Sequence, residues 1–181
     1  MIDTVLHLGQ TLRFTGDALR EGPDAARHER RGAIAVRDGL VADAGPADTL
    51  RAAHPEALIE DHGDGLILPG FVDAHAHYPQ TAIIASWGKR LIDWLNAYTF
   101  PEEMRFGDPD YAAGIAGRYL DLLLAHGTTT VCSFCTVHPA SVDAFFAAAE
   151  ARGMRVAGGK TCMDRNAPGG LRDDPVRAVD D

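Results

Sequence analysis

The sequence predicts an α/β chain, with a small β unit over residues 1–65 followed by alternating strands and helices over residues 66–181. Two observations carry this expectation. The opening stretch consists of short, partly alternating apolar runs separated by turn signals. Further on, three apolar runs, LILPGFVD (Leu66–Asp73), TTTVCSF (Thr128–Phe134) and RVAGGKT (Arg155–Thr161), are separated by segments with helical spacing. On the residues alone, the second part fits either a doubly wound open sheet or the first three units of a (β/α)8 barrel. No GxGxxG phosphate fingerprint follows the first strand.

Within the β unit, Thr4–Phe14 reads as a strand carrying Val5, Leu6, Leu8, Leu12 and Phe14. Gly16–Gly32 is polar, rich in charge and interrupted by Pro23, so it is expected to be a loop. Ala33–Val36 and Leu40–Ala44 flank Asp38-Gly39, a hairpin signal because glycine tolerates positive φ. A short helix over Asp48–Ala53 and a strand over Leu58–Glu60 complete a sandwich-like layer.

In the second part, Leu66–Asp73 is apolar enough for a strand buried on both faces. Asp108-Pro109 provides an N-cap and a first-turn proline, and Gly127 a stop. Between them Ile115, Tyr119, Leu122 and Leu123 recur at helical spacing. A second helix runs from Pro139 to Gly153 and is expected to bury Val142, Phe145, Phe146 and Ala149.

Composition limits the function classes. With 17 Lys and Arg against 26 Asp and Glu, the net charge is -9, which argues against a general binder of nucleic acid or anionic membranes. No signal peptide and no run of transmembrane length is visible. Cys132, Cys135 and Cys162 are an odd count and a poor disulfide framework, which favours a reducing, cytoplasmic setting.

The chemistry is concentrated in PGFVDAHAHYPQ (Pro69–Gln80). His75 and His77 stand two apart at the end of an apolar strand, so both imidazoles face one side and can reach one metal ion. In a barrel, that end of the strand opens at the mouth where catalytic groups gather. Asp73 has the same parity and is placed to orient the ligands. The long stretch from Tyr78 to Gly107 suits a pocket-building loop, with Trp94 read as core and Trp87 left open between core and pocket. Cys132 and Cys135, three apart on a strand, face opposite sides and are read as buried. His138 is placed either at the pocket or at a helix entry, and His7, His28, His54 and His62 are read as surface residues. The acidic tail Asp173–Asp181 reads as a solvated helix start or a frayed end.

PGFVDAHAH resembles the first-strand motif of the amidohydrolase superfamily. The extension Tyr78-Pro79-Gln80, the stretch Leu91–Glu102 containing WLNAYTFPE, Gly127–Thr130 with Phe134, Thr136 and His138, and Gly159-Lys160 with Cys162-Met163-Asp164 and Asn166 resemble guanine deaminases more specifically. The resemblance implies that residues 66–181 form the first three strands of a (β/α)8 TIM-type barrel. Residues 1–65 would then belong to a composite β domain. It implies a hydrolase acting on C–N bonds in cyclic amidines, in which a metal-activated water attacks C2 of guanine, ammonia leaves and xanthine forms. His75 and His77 would be metal ligands, with zinc favoured and iron also suited to imidazole. Gln80 would meet guanine, since its amide offers both a donor and an acceptor. The complete enzyme would be a homodimer.

A complete barrel takes about 250 residues, so residues 66–181 are expected to supply no catalytic group beyond the two ligands and to be inactive alone. Two other readings stay open. One is an amidohydrolase for another aminated purine, a pyrimidine or a triazine; the other is a non-catalytic half-barrel serving as an interaction or metal-binding module.

Overall fold

The computed structural model describes residues 4–176 and 178. The chain forms two compact units, Met1–Pro69 and Gly70–Asp181.

The first unit is a four-stranded sheet in the order β3-β2-β1-β4, formed by β1 (Val5–Phe14), β2 (Ala26–Arg37), β3 (Leu40–Pro46) and β4 (Leu58–Ile67). One turn of helix, α1 (Ala18–Glu21), with Asp17 as its side-chain cap, lies between β1 and β2. The hairpin at Asp38-Gly39 forms as expected, with φ of 55° and 74°, the paired positive values that match strand twist. Helix α2 (Ala47–Ala53) buries Leu50 together with Leu6, Leu8, Ala33 and Ala35.

The expected loop over Gly16–Gly32 is corrected in its second half, because Ala26 onward is strand. Phe14 pairs with Ala26, Arg13 with Arg27 and Leu12 with His28, so β2 is held by β1 through backbone bonds. Its charged residues are largely exposed, and a strand wet on its side chains carries no apolar alternation.

The apolar run Leu66–Asp73 is also divided differently. Leu66 and Ile67 close β4 beside Gln10 and Thr11, and a new strand, β5 (Phe71–His77), starts beyond Pro69-Gly70. Proline has no N–H to give a ladder, which favours a break there.

The second unit is a parallel sheet in the order β5-β6-β7, with β6 (Thr128–Phe134) and β7 (Arg155–Gly159). After β5 come a 3-10 segment (Tyr78–Ile83) and a helical stretch built from α3 (Leu91–Trp94), a π turn (Leu95–Thr99), α4 (Phe100–Glu103) and a 3-10 turn (Met104–Gly107). Helix α5 (Pro109–Ala125) begins at Asp108, whose carboxylate accepts from the Asp110 and Tyr111 amides, and the chain leaves it through Gly127 at φ 81°. Helix α6 (Pro139–Ala151) is followed by Gly153 at φ 63°.

The core of this unit joins Tyr78, Phe106, Ile115, Tyr119, Leu120, Val131, Cys135, Phe145 and Ala149. Phe146 and Leu122 are 41% and 45% exposed, so the expected apolar stripes are wider than the faces actually buried. β5 is not covered on both faces either, since Phe71 and Val72 are 55% and 68% exposed. It pairs only with β6 among the described residues, which leaves its other edge open.

Tyr78 holds the start of the long βα connection. Its amide donates to Ser133 Oγ at 2.9 Å, its hydroxyl donates to the Ser141 carbonyl at 2.5 Å, and its ring stacks on Phe145. Tyr78→Phe should cost about 0.5–1.5 kcal/mol, the net worth of the buried hydroxyl–carbonyl hydrogen bond. Urea unfolding of the two proteins measures this, and an unchanged midpoint would refute it.

The free thiols divide by exposure. Cys132 and Cys162 are exposed, which corrects the expected burial of Cys132, while Cys135 on the opposite side is buried. Burial pushes the Cys135 thiol up to about 12, against a hydrogen bond with the Gly159 backbone. Two thiols are therefore expected to react rapidly with a disulfide reagent in the native state, and the third only on unfolding.

Lys160, just past β7, pairs with Asp173 at 3.2 Å, so the start of the acidic tail is tied to the sheet. Residues 177 and 179–181 of that tail lie outside the described residues. No helix is long and apolar enough to cross a membrane among the described residues.

Candidate active site

β5 carries His75 and His77 to the end of the parallel sheet, where His77 lies beside Phe134 in the β6 register. The pairing is irregular between Asp73 and Ala76, a bulge of the kind that re-aims side chains. The two imidazoles converge, with centroids 5.3 Å apart and planes at 72°. Phe134 packs on both, edge-on to His75 at 5.4 Å and stacked on His77 at 4.9 Å. Its aromatic face limits the orientations that each ring can take.

Burial, with His75 adding to it, lowers the pKa of His77 below the ordinary histidine value. His77 is thus held neutral at physiological pH, the form whose nitrogen lone pair can bind a metal ion. In this respect the donor pair suits a metal. Asp73 behaves differently from the expectation that it orients an imidazole, because its carboxylate accepts from the His75 backbone N–H at 3.1 Å. It fixes the main chain at His75.

His75, His77 and Gln80 line one open cleft of about 470 Å³, walled on its apolar side by Ile83, Ile84 and Trp94. The volume is in the range of small-molecule sites. Trp94, expected in the core, is half-buried and forms part of this wall, whereas Trp87 is 77% exposed. A π turn directly follows Trp94, and Ala85 on the lining has φ 63°, a left-handed conformation costly for a residue with a Cβ. Departures of this kind cluster at functional sites.

Gln80 is not free to rotate. Its Nε2 donates to Glu103 Oε1 at 3.4 Å, and Glu103 is buried. Burial raises the Glu103 carboxyl above the ordinary carboxylate value, opposed by the Gln80 hydrogen bond. Its neighbour Glu102 has a different job, accepting from the Tyr111 hydroxyl and from Arg105, whose guanidinium lies 3.7 Å over the Tyr111 ring. Sequence reasoning singled out Glu102 and missed Glu103. Two adjacent glutamates in an otherwise apolar segment were the available signal, since burial of both requires partners.

His138 sits at the N-cap position of α6 with its ring near Gly107, outside the residues lining the cleft, so it has the helix-entry placement. Burial lowers its pKa, against the attraction of Asp173.

Comparison with known proteins identifies the family. Residues 66–180 match the amidohydrolase family, and residues 32–57 match a bacterial imidazolonepropionase-like composite domain. The chain is 41% identical over 160 residues to guanine deaminase from Escherichia coli K12, covering 88% of this chain and 36% of that protein. It is 42% identical over 161 residues to a probable guanine deaminase from Deinococcus radiodurans, covering 86% and 37%. The crystal structure of guanine deaminase from Bradyrhizobium japonicum superposes with a TM-score of 0.90 at 37% identity, covering 97% of this chain and 39% of that one. The chain thus spans under two fifths of the length of these relatives. Its parallel unit is the opening three-stranded part of a (β/α)8 barrel, preceded by the β unit. A barrel strand ending in paired imidazoles, with a family match running from that strand through the rest of the unit, makes this chain a member of the amidohydrolase family.

Proposed function

We propose that the complete protein hydrolyses guanine to xanthine and ammonia, with His75 and His77 as two zinc ligands and Gln80 as a contact to the base. The observation that carries this reading is the convergence of both imidazoles and the Gln80 amide on one cleft with an aromatic wall. The likeness to guanine deaminases supports guanine as the substrate.

When bound, zinc supplies acidification of a water to a pKa of about 7, and hence a nucleophile at neutral pH. The chain's own residues position the reaction. His75 and His77 provide the imidazole donors, with Phe134 packed against them and Asp73 holding the His75 backbone. Gln80 gives one Nε2 hydrogen to Glu103, which leaves the other and the Oε1 acceptor for a base presenting a carbonyl beside a ring N–H. Trp94 and the isoleucines exclude water from one side of a flat ring. The reduced cysteines support a cytoplasmic setting.

Two imidazoles fall short of the three protein ligands usual in catalytic zinc sites, so residues 1–181 alone are expected to give no measurable xanthine. Joining this chain to the remainder of the E. coli relative should restore turnover. Ultraviolet assays of both proteins test this. A joined enzyme that folds and deaminates a triazine or another purine, but not guanine, would refute the substrate assignment.

A further inference from the structure

A second cluster of metal-binding side chains lies in the β unit, and the proposed barrel chemistry does not use it. His7 on β1 is the direct cross-strand partner of Glu60 on β4, and His62 follows two residues along β4. Beyond these residues β4 takes five steps, from Asp61 to Leu66, where β1 takes two, from Leu8 to Gln10. The excess is turned by Gly63 at φ 59°, whose amide donates to Asp61 Oδ1 at 2.8 Å. This irregularity adjoins the point where His62 meets His7.

Three donor atoms meet there. His7 Nδ1 lies 3.2 Å from His62 Nε2 and 3.1 Å from Glu60 Oε2, and all three ligand atoms fall within 4.8 Å of one another. The imidazole planes are nearly parallel, 19° apart with centroids at 5.5 Å. His7 Nδ1 carries either one proton or one lone pair in the ring plane, so it cannot serve the Glu60 carboxylate and the His62 nitrogen well at once. A cation can accept a lone pair from each group at once. In a tetrahedral zinc site with bonds of 2.0–2.1 Å, adjacent ligand atoms are about 3.3 Å apart, close to both observed short edges. Two imidazoles and one carboxylate are a donor set for borderline divalent ions, with solvent completing the coordination.

We propose that His7, Glu60 and His62 form a surface site for a divalent transition-metal ion of the zinc, cobalt or nickel class, clipping β4 to β1. His7 and His62 are 55 residues apart in sequence, and a metal clip across a loop of that length removes considerable freedom from the unfolded chain. The clip would secure a strand whose residues are mostly exposed.

The test uses the full chain carrying H75A and H77A, which removes the proposed barrel ligands and keeps this experiment independent of them. After stripping with a chelator, the protein is titrated with Zn2+ by calorimetry and with Co2+ by visible absorption. One ion per chain is expected. H62A and E60Q, added singly, should each weaken binding by at least about tenfold, since losing a ligand costs no less than losing a residue behind one. Zinc should raise the melting temperature of the H75A/H77A chain and leave that of the H62A triple variant unchanged. If the H75A/H77A chain misfolds, zinc is counted in the unsubstituted chain and in H62A, and a difference of one ion is expected. Equal zinc binding with and without His62, or no uptake in either, overturns the site.

Discussion

Replacing His77 by alanine in the enzyme formed by joining this chain to the remainder of its E. coli relative is expected to lower kcat/KM for guanine more than a hundredfold. Loss of a residue that merely supports a metal ligand typically costs ~10–100-fold in affinity or activity, and His77 is proposed as a ligand itself. His75→Ala should behave alike, because the two rings converge at 5.3 Å and neither can replace the other. Zinc counted on the same samples should fall by one ion per chain relative to the parent in each variant, together with the rate. A His77→Ala enzyme that keeps its zinc and turns over guanine within twofold of the parent would remove the pair from the site.

The second large effect concerns Gln80 and the buried acid behind it. Gln80→Ala should reduce kcat/KM for guanine by about 1–3 kcal/mol, or ~5–150-fold, the cost of leaving buried polar groups unpaired. Glu103→Leu should cost about tenfold without touching the base, by releasing the amide that Glu103 now holds at 3.4 Å. Glu103→Gln retains an acceptor and should stay close to the parent. The same variant carries a stability signature. Burial raises the Glu103 carboxyl, so the native state binds the proton more tightly than the unfolded chain does. Its contribution is therefore fully favourable below the ordinary carboxylate value of 4.5 and is lost as pH rises through the raised native value. Urea unfolding of the chain should show Glu103→Gln gaining on the parent from acid to neutral pH. A constant difference would mean that Glu103 is not disfavoured by burial.

Where local chemistry and tertiary structure agree, the sequence was legible. Asp38-Gly39 demanded a tight turn, and Asp108-Pro109 with Gly127 bounded a helix whose Ile115 and Tyr119 reach the core. His75 and His77 stood out because a period of two at the end of an apolar strand brings both rings to one place. The charged half of β2 was hidden, since its pairing with β1 is a backbone matter while its side chains remain wet. The boundary between β4 and β5 was hidden for the opposite reason: the apolar end of β4 and the apolar start of β5 meet at Pro69-Gly70 and read as one.

At the site, tertiary neighbours decided what local pattern could not. Helical spacing could not distinguish a core Trp94 from one lining a cleft, and no periodicity marks which of Glu102 and Glu103 faces Gln80. Glu102 is taken up by Tyr111 and Arg105 from the next helix and turn, which leaves Glu103 for the site. His7 and His62 read as ordinary surface residues and Glu60 as a strand end, because the parallel pairing of β1 with β4 that unites them spans over fifty residues.

The most direct measurement of the central claim is a crystal structure of the joined enzyme with guanine, with diffraction recorded at the zinc absorption edge. The expected result is an anomalous peak bonded to His75 and His77, and guanine in the same cleft with its carbonyl and ring N–H on the Gln80 amide. No metal peak at this pair, or guanine seated elsewhere with Gln80 unengaged, would contradict it.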